Sequence, residues 1–257
     1  MKGKEGTFSQ LYQRNNHGIM WKEDRSMRRY DLHTHTIFSP CGSMEPVELI
    51  AKAQLMGLHG IAITDHDTMA GVFEAQKDVP PSFEIIPGEE ITTDRGEVIG
   101  LFLNEEIPPG PFDVVLSMIR SQNGLIIAPH PFDPLRKAVM PTDQESGLFD
   151  AIEVFNGRVI SPSFNKKAKA YARRNNCAMV CGSDAHYLFE VGAVAFTIPS
   201  TIDIRAAITS GGIISGKRAG IYPLVSRKIR KEITKRWNNH FVHESQETEE
   251  TQTRERK

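Results

Sequence analysis

The strongest constraint on the fold is the way short, unbroken apolar runs alternate with helically patterned stretches from about residue 29 onward. Residues 30–33, 60–64, 83–86, 98–103, 125–128, 151–155, 178–181 and 191–198 read as strands. Helical spacing falls at 46–56, stopped by Gly57, at 112–122, stopped near Asn123-Gly124, at 163–175 and at 202–209. Runs that are apolar throughout belong to strands covered on their outer face. That implies parallel α/β, and at this strand number a closed barrel. The predicted organisation is a single barrel domain over 29–219. A flexible basic leader (1–28) precedes it, and a basic helix (220–237) and a disordered polar tail (238–257) follow.

Composition narrows the class. With 257 residues, 39% hydrophobic and 25% charged, the chain has enough material for a real core. A net charge of -1 excludes a uniformly basic nucleic-acid binder, although the 217–237 stretch is basic by itself. Cys41, Cys177 and Cys181 cannot all pair, and none forms a CxxC, so a reducing, cytoplasmic setting is expected. Cys177 and Cys181, at the ends of an apolar segment, read as buried packing residues. No apolar run reaches the roughly 20 residues that span a bilayer, and the first ten residues lack the apolar region of a signal peptide.

In parallel α/β folds the loops at the C-terminal strand ends converge on one face, and function collects there. The residues that follow the predicted strands are chemically alike. They are His33-Thr34-His35, Asp65-His66-Asp67, Gly88-Glu89-Glu90, His130-Pro131 and Gly182-Ser183-Asp184-Ala185-His186. Five of the nine histidines lie at these ends with carboxylates beside them. His17, His240 and His243 fall in the tails, and His59 in a helix-to-strand turn. Each motif alone is weak, but independent strand ends that all carry ligand-type residues point to a metal site. Imidazole mixed with carboxylate suits manganese, zinc or iron better than magnesium or calcium. Two or more such ions suit in-line phosphoryl displacement by metal-activated hydroxide.

Taken together, DLHTHT (31–36), ITDHD (63–67), PGEEIT (87–92), APHPFDPLR (128–136), EVFNG (153–157) and GSDAH (182–186) resemble the polymerase and histidinol phosphatase (PHP) superfamily. The resemblance implies a distorted (β/α)7 TIM-like barrel with two or three divalent ions at its C-terminal rim. By the same resemblance the metal ligands are His33, His35, His66, Glu90 as the bridging carboxylate, His130, Asp184 and His186. His66 and Glu90 would act in catalysis, with Asp65 orienting a ligand or proton. Arg136 would meet the substrate phosphate through its planar fork; Arg158 is a weaker candidate for that contact and reads as a surface residue. Two positions depart from the pattern. Pro40 and Cys41 stand where a histidine or aspartate often follows, and Cys41 reads equally as a thiolate ligand or a structural cysteine in a turn. Glu97 stands nearest the place of a further histidine.

The function expected is hydrolysis of a phosphomonoester, a nucleotide phosphate or an oligonucleotide. One alternative makes the protein a nucleic-acid-binding module that uses the basic 217–237 stretch, with the barrel as a metal-stabilised scaffold. That stretch offers only Tyr222 and Trp237 as stacking residues. A second alternative is a metal-dependent amidohydrolase, against which Glu90 and Arg136 count. No membrane and no protein partner are expected.

Overall fold

The computed structural model describes residues 26–218, together with the backbone of β1 (Tyr12–Asn15) and β2 (Gly18–Trp21). These two strands pair antiparallel, with Tyr12 opposite Trp21, inside the stretch expected to be a flexible leader. The expected helix at 220–237 and the tail at 238–257 lie outside the described residues. Among the described residues no helix is long and apolar enough to cross a membrane.

The barrel begins with β3 (Met27–Thr34) and continues through α1 (Pro46–Leu55), β4 (Gly60–Ile63), α2 (Ala70–Lys77) and β5 (Glu84–Thr93). Next come β6 (Gly96–Leu101), α3 (Phe112–Ser121), β7 (Leu125–Ala128), a 3-10 turn (Asp143–Leu148) and β8 (Ala151–Asn156). The chain then runs through α4 (Pro162–Arg174), β9 (Ala178–Gly182), β10 (Val194–Pro199), α5 (Ile204–Ser210) and β11 (Ile213–Gly216). The sheet order is β11-β10-β3-β4-β5-β6-β7-β8-β9. The strands β3, β4, β5, β7, β8 and β9 run in one sense, while β6 runs against both its neighbours and β10 against β3. The result is an α/β, nearly closed, TIM-like barrel, with β10 and β11 added on the far side of β3.

Three features went beyond the sequence pattern. β5 does not stop at Ile86 but continues to Thr93, so Glu90 lies inside a strand, and a two-residue turn at Asp94-Arg95 folds β6 back on it. The strands are therefore not all parallel, as expected, and β6 begins at the rim where its neighbours end. The helix α2 was not apparent in the sequence. It has eight residues, an N-cap at Met69 that makes no side-chain cap bond, and Gly71 in its first turn. That glycine is required, since a Cβ there would lie 2.1 Å from the Asp65 carboxylate.

Strand alternation divides the core in two. Ile61, Ile63, Ile91, Val98, Ile126, Ile152 and Val154 pack with residues of α1 to α4 on the outside. The opposite parity contributes Ala62, Ile86, Ile99, Leu101, Ile127 and Ala151 to a second cluster. Continuing that inner parity towards the rim reaches Glu90 on β5, Glu97 on β6 and Glu153 on β8, all buried. The barrel is thus filled with hydrocarbon below and carries polar side chains on top.

Closure depends on β9 returning to β3. His35 N–H donates to the Ala185 carbonyl at 2.9 Å, Asp184 N–H to the His33 carbonyl at 2.8 Å, and Ser183 N–H to Asp31 Oδ1 at 2.8 Å. Gly182 permits this approach, because a Cβ there would sit 2.2 Å from the His33 Cβ and 2.8 Å from Glu153 Oε1. A Gly182→Ala variant is therefore expected to lose about 1–3 kcal/mol in urea unfolding, the range for overpacking. A midpoint equal to that of the parent chain would show that the closure is not tight.

Candidate metal centre

Glu90 is the centre around which the rim is arranged. Its Oε2 lies 3.3 Å from the Nε2 atoms of His33 and His35 and 3.3 Å from His66 Nδ1. Its Oε1 lies 2.9 Å from His130 Nε2. Asp184 Oδ1 approaches the same nitrogens, at 3.4 Å from His35 and 3.8 Å from His33. Glu97 approaches from the reversed strand, at 3.7 Å from His66 and 3.9 Å from His130. His186 lies tilted against His35 with ring centroids 4.3 Å apart, and His66 stacks on His35 at 4.7 Å. All of these are buried except His66, which is partly open.

Backbone geometry brings these groups together. His66 and Glu90 form a parallel bridge that extends the β4–β5 pairing past the end of β4. His130 and Asp184 both adopt positive φ, 30° and 57°, a conformation that costs energy outside glycine and turns their side chains inward after their strands. A second ring of bonds aims the imidazoles. Glu153 Oε1 is 3.1 Å from His33 Nδ1, which fixes that nitrogen as the donor and leaves Nε2 for the centre. Glu153 Oε2 accepts from His130 N–H at 2.7 Å and from Asn156 Nδ2 at 3.0 Å. Ser39 Oγ lies 3.2 Å from His35 Nδ1 and accepts from His66 N–H at 2.8 Å. His186 Nδ1 donates to the Asp184 carbonyl at 2.8 Å.

Electrostatics follow from this crowding. Burial pushes the His33 imidazole down, but Glu90, Asp184 and Glu153 outweigh it and hold His33 well above its ordinary value. His35 is raised in the same way by Asp184 and Glu90. His186 is driven well down by burial and by the neighbouring His35, and His66 is lowered mainly by burial. Burial would raise Glu90 and Asp184, yet both are held well below the carboxylate range, Glu90 by His33 and His66 and Asp184 by Arg136 and His33. Glu97 is pushed up to about 8 by burial and by Glu90.

The expected residues met different fates. His33, His35, His66, Glu90, Glu97, His130, Asp184 and His186 all converge, and they form overlapping groups of three that could each hold a cation. Cys41 is half-buried and belongs to none of those groups among the described residues. Asp65 gives both oxygens to Thr36, at 2.6 Å to its N–H and 2.5 Å to its hydroxyl. Arg136 reaches Asp184 Oδ2 at 2.7 Å and is partly exposed at the rim. Arg158 is not a surface residue. The residue is half-buried and its side chain only 7% exposed, with its Nε 3.1 Å from Glu190 Oε1, and Glu190 Oε2 in turn accepts from the N–H groups of His186 and Tyr187. Of the cysteines read as buried, Cys181 is and Cys177 is only partly so. His59 sits in its turn, with Nδ1 accepting from Arg29 N–H at 3.2 Å. Sequence reasoning assigned no role to Glu153, Asn156, Ser39 or Glu190. The available signal was a charged residue, Glu153, at an inward position of an otherwise apolar strand.

Comparison with known proteins fits this geometry. The model of the PHP domain matches residues 31–128, and that of the PHP-associated region matches 162–212. MJ0417, an uncharacterised protein of Methanocaldococcus jannaschii, is 40% identical over 172 residues, which cover 64% of this chain and 68% of that one. The chain belongs to the PHP family. A 5'-3' exoribonuclease of Haemophilus influenzae is 35% identical over 105 residues, 38% of this chain, and the match spans only about a third of the relative, 35%. Among solved structures, a two-domain protein of Bacteroides vulgatus containing a predicted PHP-like metal-dependent phosphoesterase aligns with a TM-score of 0.59 at 20% identity. That alignment covers 71% of this chain and 62% of the other. Of the last two, the first is named an exoribonuclease and the second is described as containing a predicted metal-dependent phosphoesterase.

The Arg158–Glu190 pair, which supports the backbone of His186, gives this PHP protein a stability test. Arg158→Met strands a buried carboxylate and is expected to cost about 3 kcal/mol in denaturant unfolding. A loss below about 0.5 kcal/mol, the level of an exposed pair, would contradict the burial described.

Proposed function

We propose that this chain is a metal-dependent phosphoester hydrolase acting on nucleotide-type phosphates, either as monoesters or at an end of a nucleic acid. The observation that carries the reading is the convergence of His33, His35, His66, His130, His186, Glu90, Glu97 and Asp184 beside one rim arginine, Arg136.

The donor set fits divalent cations. His33 and His35 bring two Nε2 atoms within 3.1 Å of each other, an approach that needs a cation or a shared proton between them. Asp184 Oδ1 and His130 Nδ1 are buried with no hydrogen-bond partner. In this reading His33, His35 and Glu90 would hold one ion, with Asp184 within reach of both histidines, and Glu90, Glu97 and His130 would hold a second. His66 and His186 would offer further nitrogens, with His35 serving one group at a time because its Nδ1 is engaged by Ser39. Manganese, zinc or iron suits that mixture of nitrogen and oxygen. Such ions supply Lewis acidity at the phosphoryl oxygens and lower the pKa of a coordinated water.

The protein's own side chains do the rest. Arg136, anchored by Asp184 and open to the rim, presents a planar cation to the phosphate. Glu153 holds His33 in one tautomer and pins the backbone of His130. Asp65 is a positioning residue, since both its oxygens serve Thr36 next to His35. His66, lowered by burial and partly open to solvent, stays neutral near pH 7 and is suited to ligation or proton transfer at the mouth. The nucleotide preference leans on the exoribonuclease relative.

The test is a phosphoester panel with the full chain loaded in turn with manganese, zinc and iron. Hydrolysis is expected with at least one metal, with loss on chelation and a fall of more than about 100-fold in His33→Ala and Glu90→Ala that remain folded by circular dichroism. No turnover of p-nitrophenyl phosphate or of any nucleotide phosphate would overturn the reading.

A further inference from the structure

Large apolar side chains are exposed around the mouth in a way that the metal cluster does not require. Ile37 and Phe38 come from the loop after β3, Leu135 and Met140 from the loop after β7, and Leu188 and Phe189 from the loop after β9. Single exposed apolar residues are ordinary, but a set gathered on the loops that frame a polar site marks a surface for binding. Phe189 is 54% exposed, and its ring lies nearly parallel to that of Tyr187, with centroids 5.5 Å apart and planes at 9°.

These rings are held close to the cluster. Tyr187 directly follows His186, and its N–H donates to Glu190 Oε2 at 3.1 Å. Phe38 lies between Thr36, which Asp65 grips, and Ser39, whose hydroxyl bonds at His35 and His66. Phe38 N–H itself donates to Thr36 Oγ1 at 3.2 Å. The two loops are tied to each other where Ser43 N–H and Oγ both donate to the His186 carbonyl, at 3.1 Å and 2.7 Å. The aromatic residues are therefore fixed within three positions of His35 and His186.

We infer that Tyr187, Phe189 and Phe38 form a stacking platform for a nucleobase, so that the rim selects phosphate esters carrying a flat ring. This rests on the phosphoesterase reading and names the residues that would hold the base of the nucleotide it proposes. A phosphate held at the cluster cannot direct its alcohol inward, because Ile86, Ile99 and Leu101 fill the barrel beneath. The alcohol portion must extend over the rim, where the loops after β3 and β9 offer the exposed rings of Phe38 and Phe189. A parallel aromatic pair offers a broad π-face, which suits a base better than an aliphatic chain. Aromatic side chains also lose little rotamer freedom when they bind.

The experiment compares kcat/KM for adenosine monophosphate and for ribose 5-phosphate in the parent chain and in Phe189→Ala, Phe189→Leu, Phe189→Trp and Phe38→Ala, with folding read by thermal melting. The parent should prefer the nucleotide. The ratio of the two kcat/KM values should fall about tenfold in the alanine and leucine variants, chiefly through KM, and be kept by tryptophan. A ratio near one in the parent, or one that no substitution changes, would overturn the platform. A leucine variant that behaves like the parent would also overturn it, since the surface would then be merely apolar. If the parent hydrolyses neither of these two esters, the phosphoesterase reading stands or falls on the wider phosphoester panel. The platform is then judged by fluorescence anisotropy with a short single-stranded oligonucleotide and its abasic counterpart. Tighter binding of the base-bearing strand that Phe189→Ala removes supports it, and equal binding overturns it.

Discussion

Everything at the rim depends on one carboxylate, Glu90, buried at the meeting point of four imidazoles. A carboxylate without water is tolerated only among compensating partners, so the strands around it must deliver hydrogen-bond donors or cation ligands to within a few ångströms. His33 and His35 arrive from β3, His66 from beyond β4 and His130 from beyond β7. Such a gathering is available only where several strand ends face one axis. The barrel is best understood as the frame that makes it so, with hydrocarbon below to fix the strands and polar groups above.

The frame departs from regularity where the cluster needs it. Reversing β6 puts Glu97, at that strand's start, on the same rim as its neighbours' ends. Gly182 allows β9 to close on β3, and that closure sets Asp184 and His186 against His33 and His35. Positive φ at His130 and Asp184 is backbone strain confined to two residues of the centre, which the surrounding bonds hold in place. Glu153 and Glu190 extend the design outward, one holding a histidine ring, the other the backbone that carries His186.

Much of this was legible beforehand because it is local. Continuous apolar runs report buried strands, and residues after a strand report its end, so the positions of His33, His35, His66, His130, Asp184 and His186 could be read directly. The reversal of β6 could not, since an apolar run has no direction; it takes the Thr93–Gly96 turn to set one. Arg158 was misread because a charged residue after a strand is usually solvated, and only the fold shows Glu190 waiting for it across 32 positions of chain. Glu153 was quoted within a motif yet given no role. Its partners, His33 and His130, come from other strands, and such pairing is invisible to spacing along one segment.

The most direct test of the central claim is metal content. Full-length protein loaded with manganese, passed through a desalting column and measured by elemental analysis should retain at least two ions per chain, because Glu90 is shared between two of the donor groups. A Glu90→Ala chain, folded by circular dichroism, should retain fewer. Retention of less than one ion by the parent chain, or equal retention by both, would contradict the account.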